Sequence, residues 1–187
     1  MRNTLRVLIV GMMVLAISTV VFGGEKAPQK VLDMSQAELV KIGTDPIIVE
    51  AVKAENAKGK TLEQIKEMDE KWIATPGIDE NMKALMDSEC GRYLRSIQNS
   101  KPYFAEIFVM DNQGANVAMT EKTSDYWQGD EAKFKESYKD GTGAIHIGDV
   151  EFDDSSQAYL VQVSVPVKDE EKVIGAITMG LDLDMLE

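Results

Sequence analysis

The spacing of the apolar residues changes at Pro102, and this switch constrains the fold more than any other feature of the chain. From Val31 to Ser100 the apolar positions recur at helical intervals; beyond Pro102 they alternate in short β-rich runs separated by Gly, Asn and Asp. A block of helices followed by a block of strands does not wind a parallel sheet, which needs the two to alternate. It predicts an α+β fold, with a mainly antiparallel sheet and helices laid on its face.

The helical block carries its own punctuation. Ser35 with Glu38 has the form of a capping box ahead of Ala37, Leu39, Val40 and Ile42, and Asp45-Pro46 starts a helix running to Gly59. Thr61 with Gln64 gives a second capping box, ahead of Leu62, Ile65, Met68, Trp72 and Ile73, and Thr75-Pro76-Gly77 breaks the chain. A single helix is expected from about Asp79 to Gln98, because Met82, Leu85, Met86, Cys90, Tyr93, Leu94 and Ile97 form one continuous stripe. In the second block, strands are expected at Phe104 to Met110, Ala115 to Thr120, Ala144 to Phe152, Tyr159 to Val167 and Val173 to Leu183. A short helix, Asp130 to Lys139, interrupts them after the second strand.

The N-terminus sets the expected compartment. Arg2 and Arg6 precede an apolar stretch from Val7 to Phe22 closed by Gly23 and Gly24, the layout of a secretory signal. Cleavage after Gly23, with Val21 at the third position before the cut, fits the small-residue preference; the alternative is a retained anchor, since the stretch is close to the minimum for spanning a bilayer. The expected location is the periplasm. The formal charge of −12 becomes about −14 without residues 1–23, a balance that repels nucleic acid and anionic membranes and favours approach by cations. Cys90 is the sole cysteine and has no intrachain partner, so it reads as a buried helix residue, with an intermolecular thiol as the alternative.

The candidate site is Thr123-Ser124-Asp125-Tyr126-Trp127-Gln128-Gly129-Asp130-Glu131, between the second strand and the short helix. Tyr126 and Trp127 offer faces that hold an apolar body or a cation, Asp125 supplies a counter-charge for an ammonium or guanidinium, and Gln128 donates and accepts. The competing reading makes the two rings hydrophobic plugs, Asp125 a turn residue and Asp130 the helix cap. Tyr103, at the mouth of the first strand, is a candidate wall or a core residue; His146, alternating with Ile145 and Ile147, and Asp182, closing the last strand, are further candidates. Asp149, Glu151, Asp153 and Asp154 lack the ligand spacing and glycine of a calcium loop, so no metal or cofactor is expected. No serine elbow, paired zinc histidines, phosphate loop or haem-attachment motif occurs, and the chain is not expected to be an enzyme.

The order of elements resembles the Cache family of PAS-like extracytoplasmic sensor domains, also called PDC sensors. The residues that carry the likeness are Phe104 to Gly114 (FAEIFVMDNQG), the Thr123 to Glu131 cluster, Ser164-Val165-Pro166-Val167 and Ile174-Gly175-Ala176-Ile177. The resemblance spans about Pro46 to Leu183. It implies a five-stranded antiparallel sheet with a long N-terminal helix and additional N-terminal helices on its back, and a small-molecule pocket on the other face under the segment linking strands two and three. Together with the N-terminal signal, the expected division is a signal at 1–23, a helical segment at 24–100 that includes the long helix packed on the sheet, and a Cache sheet with the ligand pocket at 101–187.

Family members usually continue through the membrane, whereas this sequence stops at Glu187 without a second apolar span, so signalling through a separate membrane receptor or sensor kinase is expected. Two functions follow. One is a periplasmic module binding a small polar metabolite, an amine or amino acid. The other is a scaffold whose pocket is filled by its own side chains, binding a partner or a second copy through parallel helices.

Overall fold

The computed structural model describes residues 24–153 and 157–186, so the expected signal segment lies outside the described residues. Helices come first: α1 (Gln29–Met34), continuing through a π-helical stretch Ser35–Leu39 into α2 (Val40–Ile42), then α3 (Pro46–Ala57), α4 (Leu62–Ala74), α5 (Glu80–Asp87) and α6 (Glu89–Gln98). Strands β1 (Phe104–Met110) and β2 (Asn116–Met119) follow, then α7 (Ala132–Tyr138), β3 (His146–Asp153), β4 (Ala158–Asp169) and β5 (Lys172–Asp182). The strands form one antiparallel sheet in the order β2-β1-β5-β4-β3, with the last strand inserted beside the first.

Strand alternation gives the sheet two apolar faces. Ile107, Val109, Val163, Val165, Ile177 and Met179 point to the back, where Val31, Leu39, Ile48 and Val52 from the first helices and Cys90 and Leu94 from α6 cover them. Phe108, Met110 and Ala176 point to the front, against Ile65 and Trp72 of α4, Met82 of α5, Phe134 of α7 and Tyr126. Cys90 is buried, and burial, with Asp45 and Glu89 nearby, pushes its thiol up to about 12, which suits a packing residue.

Local signals explain several helix ends. Asp45 accepts from the Ile47 N–H at 2.9 Å with Pro46 in the first turn, and the Thr61–Gln64 capping box is formed in both directions. Ser35 instead lies inside a helix that begins after Pro28, and its hydroxyl donates back to the Leu32 carbonyl at 2.7 Å rather than capping. The expected helix from Asp79 to Gln98 is two helices. Ser88, with ψ 163°, breaks it and caps α6 by accepting from the Gly91 N–H at 2.9 Å. The cause is tertiary: Met82, Leu85 and Met86 serve the front core while Cys90, Tyr93, Leu94 and Ile97 serve the back, so the stripe must bend around the sheet edge.

Gly91 makes that bend possible, because a Cβ there would lie 2.3 Å from the Met86 carbonyl oxygen and 2.4 Å from that of Leu85. Gly91→Ala is therefore expected to cost about 1–3 kcal/mol by forcing the α5–α6 junction apart. Urea denaturation measures this, and an unchanged midpoint would show the junction to be compliant.

Candidate functional site

The segment linking β2 to α7 crosses the front of the sheet and is fastened on both sides. Its Gln128 N–H donates to Gly114 O at 2.8 Å, and a Cβ on Gly114 would come within 2.5 Å of Gly129 Cα, so hairpin and segment touch backbone to backbone. On the other side Asp69 of α4 accepts from the Tyr126 and Trp127 N–H groups at 2.8 and 3.0 Å through one carboxylate oxygen, while Trp72 Nε1 donates to Thr123 O at 2.8 Å. The Asp125 carbonyl gathers the Thr123 hydroxyl at 2.7 Å and the Asn116 and Gln128 amides at 3.2 and 2.8 Å.

These contacts separate the residues of the aromatic cluster. Tyr126 is 2 % exposed, its ring centroid 5.5 Å from that of Trp72, and its hydroxyl accepts from Lys60 Nζ at 3.0 Å. Burial opposes the charge on Lys60, but bonds to Glu55 at 2.5 Å and to Tyr126 outweigh it and raise the amine to about 12. Tyr126 is thus a core residue locked to a part-buried ion pair. Trp127 lies folded over Gly129 with Nε1 bonded to Gln113 O at 2.8 Å, and Lys66 Nζ stands 4.7 Å from its ring centroid. Trp127 and Asp125 border an open groove of about 450 Å³ beside α4, where Asp69, Glu70 and Ile73 form the other bank. Asp130 is not the expected cap: α7 is preceded by Glu131, which makes no side-chain cap, and Asp130 offers only its carbonyl, to Lys135.

A second cleft, of about 410 Å³, lies on the front of the sheet between the first turn of α7 and strands β1, β4 and β3. Its lining includes Glu106, Lys133, His146, Asp149, Leu160 and Gln162. Glu106 and Gln162 occupy front-facing positions in otherwise apolar strands, and Gln162 Nε2 donates to Glu106 Oε1 at 2.7 Å. The carboxylate lies across Gly180, where a Cβ would meet Glu106 Cγ at 2.6 Å. Burial raises the Glu106 carboxyl above the usual range, against the opposing pull of Gln162 and Lys133.

His146 pairs with Ser164, which places it on this front face, and burial lowers its imidazole below the ordinary value, so it is neutral at pH 7. Lys133 is already engaged, 3.1 Å from Glu131 and 5.5 Å from the Phe108 ring centroid. Five carboxylates line the cleft (Glu106, Glu131, Asp149, Glu151 and Asp153); Lys133 pairs with Glu131 and Lys26 with Asp149, and the remaining excess of acid favours a cation.

Of the sequence candidates, the structure puts His146 in the sheet cleft, Asp125 and Trp127 on the α4 groove and Tyr126 in the core. Tyr103 packs on Phe104 with ring centroids 4.8 Å apart, and its carbonyl accepts from the Asp182 N–H at 2.8 Å; neither residue lines the two clefts. Sequence reasoning passed over Glu106, Gln162, Lys133 and Asp69. The available signal for the first two was a charged and an amide residue inside runs of apolar strand. Among the described residues there is no cluster of three potential metal-ligating groups, and no helix is long and apolar enough to cross a membrane.

A five-stranded antiparallel sheet in this order, with helices on both faces and a polar cleft beside the segment linking its second and third strands, is a PAS-like fold. Residues 78–187 match the family of methyl-accepting chemotaxis protein-like, first PDC sensor domains, and the chain belongs to that family. No curated protein matches it. Among solved structures it is similar to the sensor domain of the Vibrio cholerae histidine kinase DctB, with 15% identity, a TM-score of 0.47 and coverage of 83% of this chain and 50% of that one. It is also similar to the sensory domain of the Campylobacter jejuni chemoreceptor Tlp3, with 13% identity, a TM-score of 0.44 and coverage of 84% and 64%. The ligand-binding domain of the Pseudomonas aeruginosa amino acid chemoreceptor PctC in complex with GABA is similar at 12% identity and a TM-score of 0.38, with 81% and 61% covered. The chain thus spans between half and two thirds of the length of these sensor domains.

Proposed function

We propose that this chain is a periplasmic sensor module that binds a small polar metabolite through an ammonium group, an amine or an amino acid, in the cleft between α7 and the sheet. Its loaded state is presented to a separate membrane partner, a chemoreceptor or sensor kinase. The observation that carries this reading is Glu106, a part-buried carboxylate set in an apolar strand of a sensor fold and oriented by Gln162 at 2.7 Å. A buried carboxylate costs stability unless it acquires a partner, and an incoming ammonium supplies one. Export through the segment from Arg2 to Gly24 and the acidic charge of the chain accord with a periplasmic module that meets cations.

A thermal-shift screen of amines, amino acids and, as controls, simple carboxylates tests the proposal. A specific ligand at a hundred times its dissociation constant adds about 2.7 kcal/mol of stability. Amines and amino acids should shift the transition while carboxylates do not, and a panel with no stabiliser would count against the sensor reading.

One observation favours the scaffold alternative. The centre of the front face is already covered by α7, with Phe134 in the core, Ser137 buried, and Ser164 and Thr178 satisfying each other at 2.8 Å. On that reading the edge cleft is a surface feature and no small molecule stabilises the fold.

A further inference from the structure

Asp149 links the sheet cleft to the start of the described chain. It lies in β3 where the register with β4 slips between Ile147 and Val150, and it contributes to the lining of the cleft. The same carboxylate receives Lys26 Nζ at 2.7 Å. The next residue completes the attachment, since the Val150 N–H donates to Glu25 O at 2.7 Å in an isolated antiparallel bridge. Gly24 closes over the site, because a Cβ there would lie 2.7 Å from Asp149 Cβ. Residues 24–26 therefore form a strap along the outer edge of β3, and in the sequence only Gly23 separates them from the apolar stretch Val7 to Phe22.

The strap is held lightly. Lys26 is 84% exposed, so its ion pair with Asp149 is screened and weak, and one backbone hydrogen bond supplements it. Asp149 also lines the cleft, so an ammonium there meets the same carboxylate that holds Lys26. Glu106 lines the same cleft and offers a second counter-charge.

We propose that residues 24–26 are a cation-gated latch, in which an ammonium entering the cleft takes Asp149 from Lys26 and loosens the strap from β3. The proposal rests on the cleft being the binding site, as argued above. It adds an output to that site: occupancy is reported at the N-terminal edge of the domain, where the exported chain emerges. The competition is reciprocal, so whatever removes Lys26 from Asp149 strengthens cation binding.

Putrescine is the probe, with binding followed by calorimetry and the strap by hydrogen exchange of the Val150 amide. Saturating putrescine is expected to speed Val150 exchange at least about fivefold while leaving Ile107, in the middle of the sheet, unchanged. Lys26→Gln is expected to bind putrescine about two- to fivefold more tightly than the unaltered chain. If putrescine binds but neither Val150 exchange nor the affinity of Lys26→Gln changes, the latch is wrong and the binding site stands. If putrescine does not bind, the cation reading of the cleft fails and the latch fails with it.

Discussion

Trp72→Ala is expected to remove about 3–5 kcal/mol of stability and to free α4 from the segment that crosses the sheet. Trp72 is 3% exposed and packs with Ile65, Met82 and Tyr126 in the front core, so truncation leaves a cavity that α4 cannot close without moving. It also strands the Thr123 carbonyl, which accepts from Trp72 Nε1 at 2.8 Å. Trp72→Phe separates the two effects. It keeps most of the packing and loses the N–H, and should cost about 1–2 kcal/mol. Both variants retain Trp127 as the single tryptophan, so urea unfolding followed by its fluorescence reads the state of the linking segment directly. Against a typical domain stability of about 5–15 kcal/mol, the alanine variant should be close to unfolding at 37 °C. A loss below about 1 kcal/mol would mean that α4 is an accessory and not a wall of the front core.

The same contacts show which parts of the architecture could be read in advance. The boundary at Pro102, the strand Phe104–Met110 and the caps at Asp45 and Thr61 were legible because each is written within a few residues of chain. The break at Ser88 was not. The apolar stripe keeps its helical period straight through it, and only the existence of two cores on opposite faces of the sheet forces the bend. Asp130 was displaced by a single residue, a shift that depends on where Gln128 and Gly129 meet the hairpin.

The aromatic cluster was found in the sequence, but adjacent residues went to different places. Tyr126 turns toward Trp72 and Lys60, and Trp127 toward Gln113 and Lys66, because α4 covers them, and nothing in their own segment encodes that. Glu106 carried the stronger local signal: a charge at a front-facing position between Phe104 and Phe108, in a strand otherwise destined for burial. Polar groups placed against the apolar pattern of a strand are candidates for a site on physical grounds, because they cost stability where they stand.

That cost is measurable, and it gives the second large effect. Glu106→Gln is expected to stabilise the free protein by about 1 kcal/mol at pH 7 while weakening ammonium binding at least tenfold. Glutamine keeps an oxygen for Gln162 Nε2 and fits over Gly180, so the geometry survives and only the charge is lost. The sign follows from the raised carboxyl of Glu106. A carboxyl whose folded pKa exceeds its unfolded value penalises the folded state at neutral pH, and the penalty fades as pH falls through the folded pKa and vanishes below the unfolded one, about 4.3.

The stability gap between Glu106→Gln and the unaltered chain should therefore be widest near pH 7 and close toward pH 4. The depressed carboxyl of Glu55, paired with Lys58 and Lys60, contributes the opposite slope to both proteins and cancels in the difference. A gap that does not narrow on acidification would show that Glu106 is solvated and carries no strain. A variant both more stable and unable to bind would show that the carboxylate is kept for its ligand, since the fold is better off without its charge.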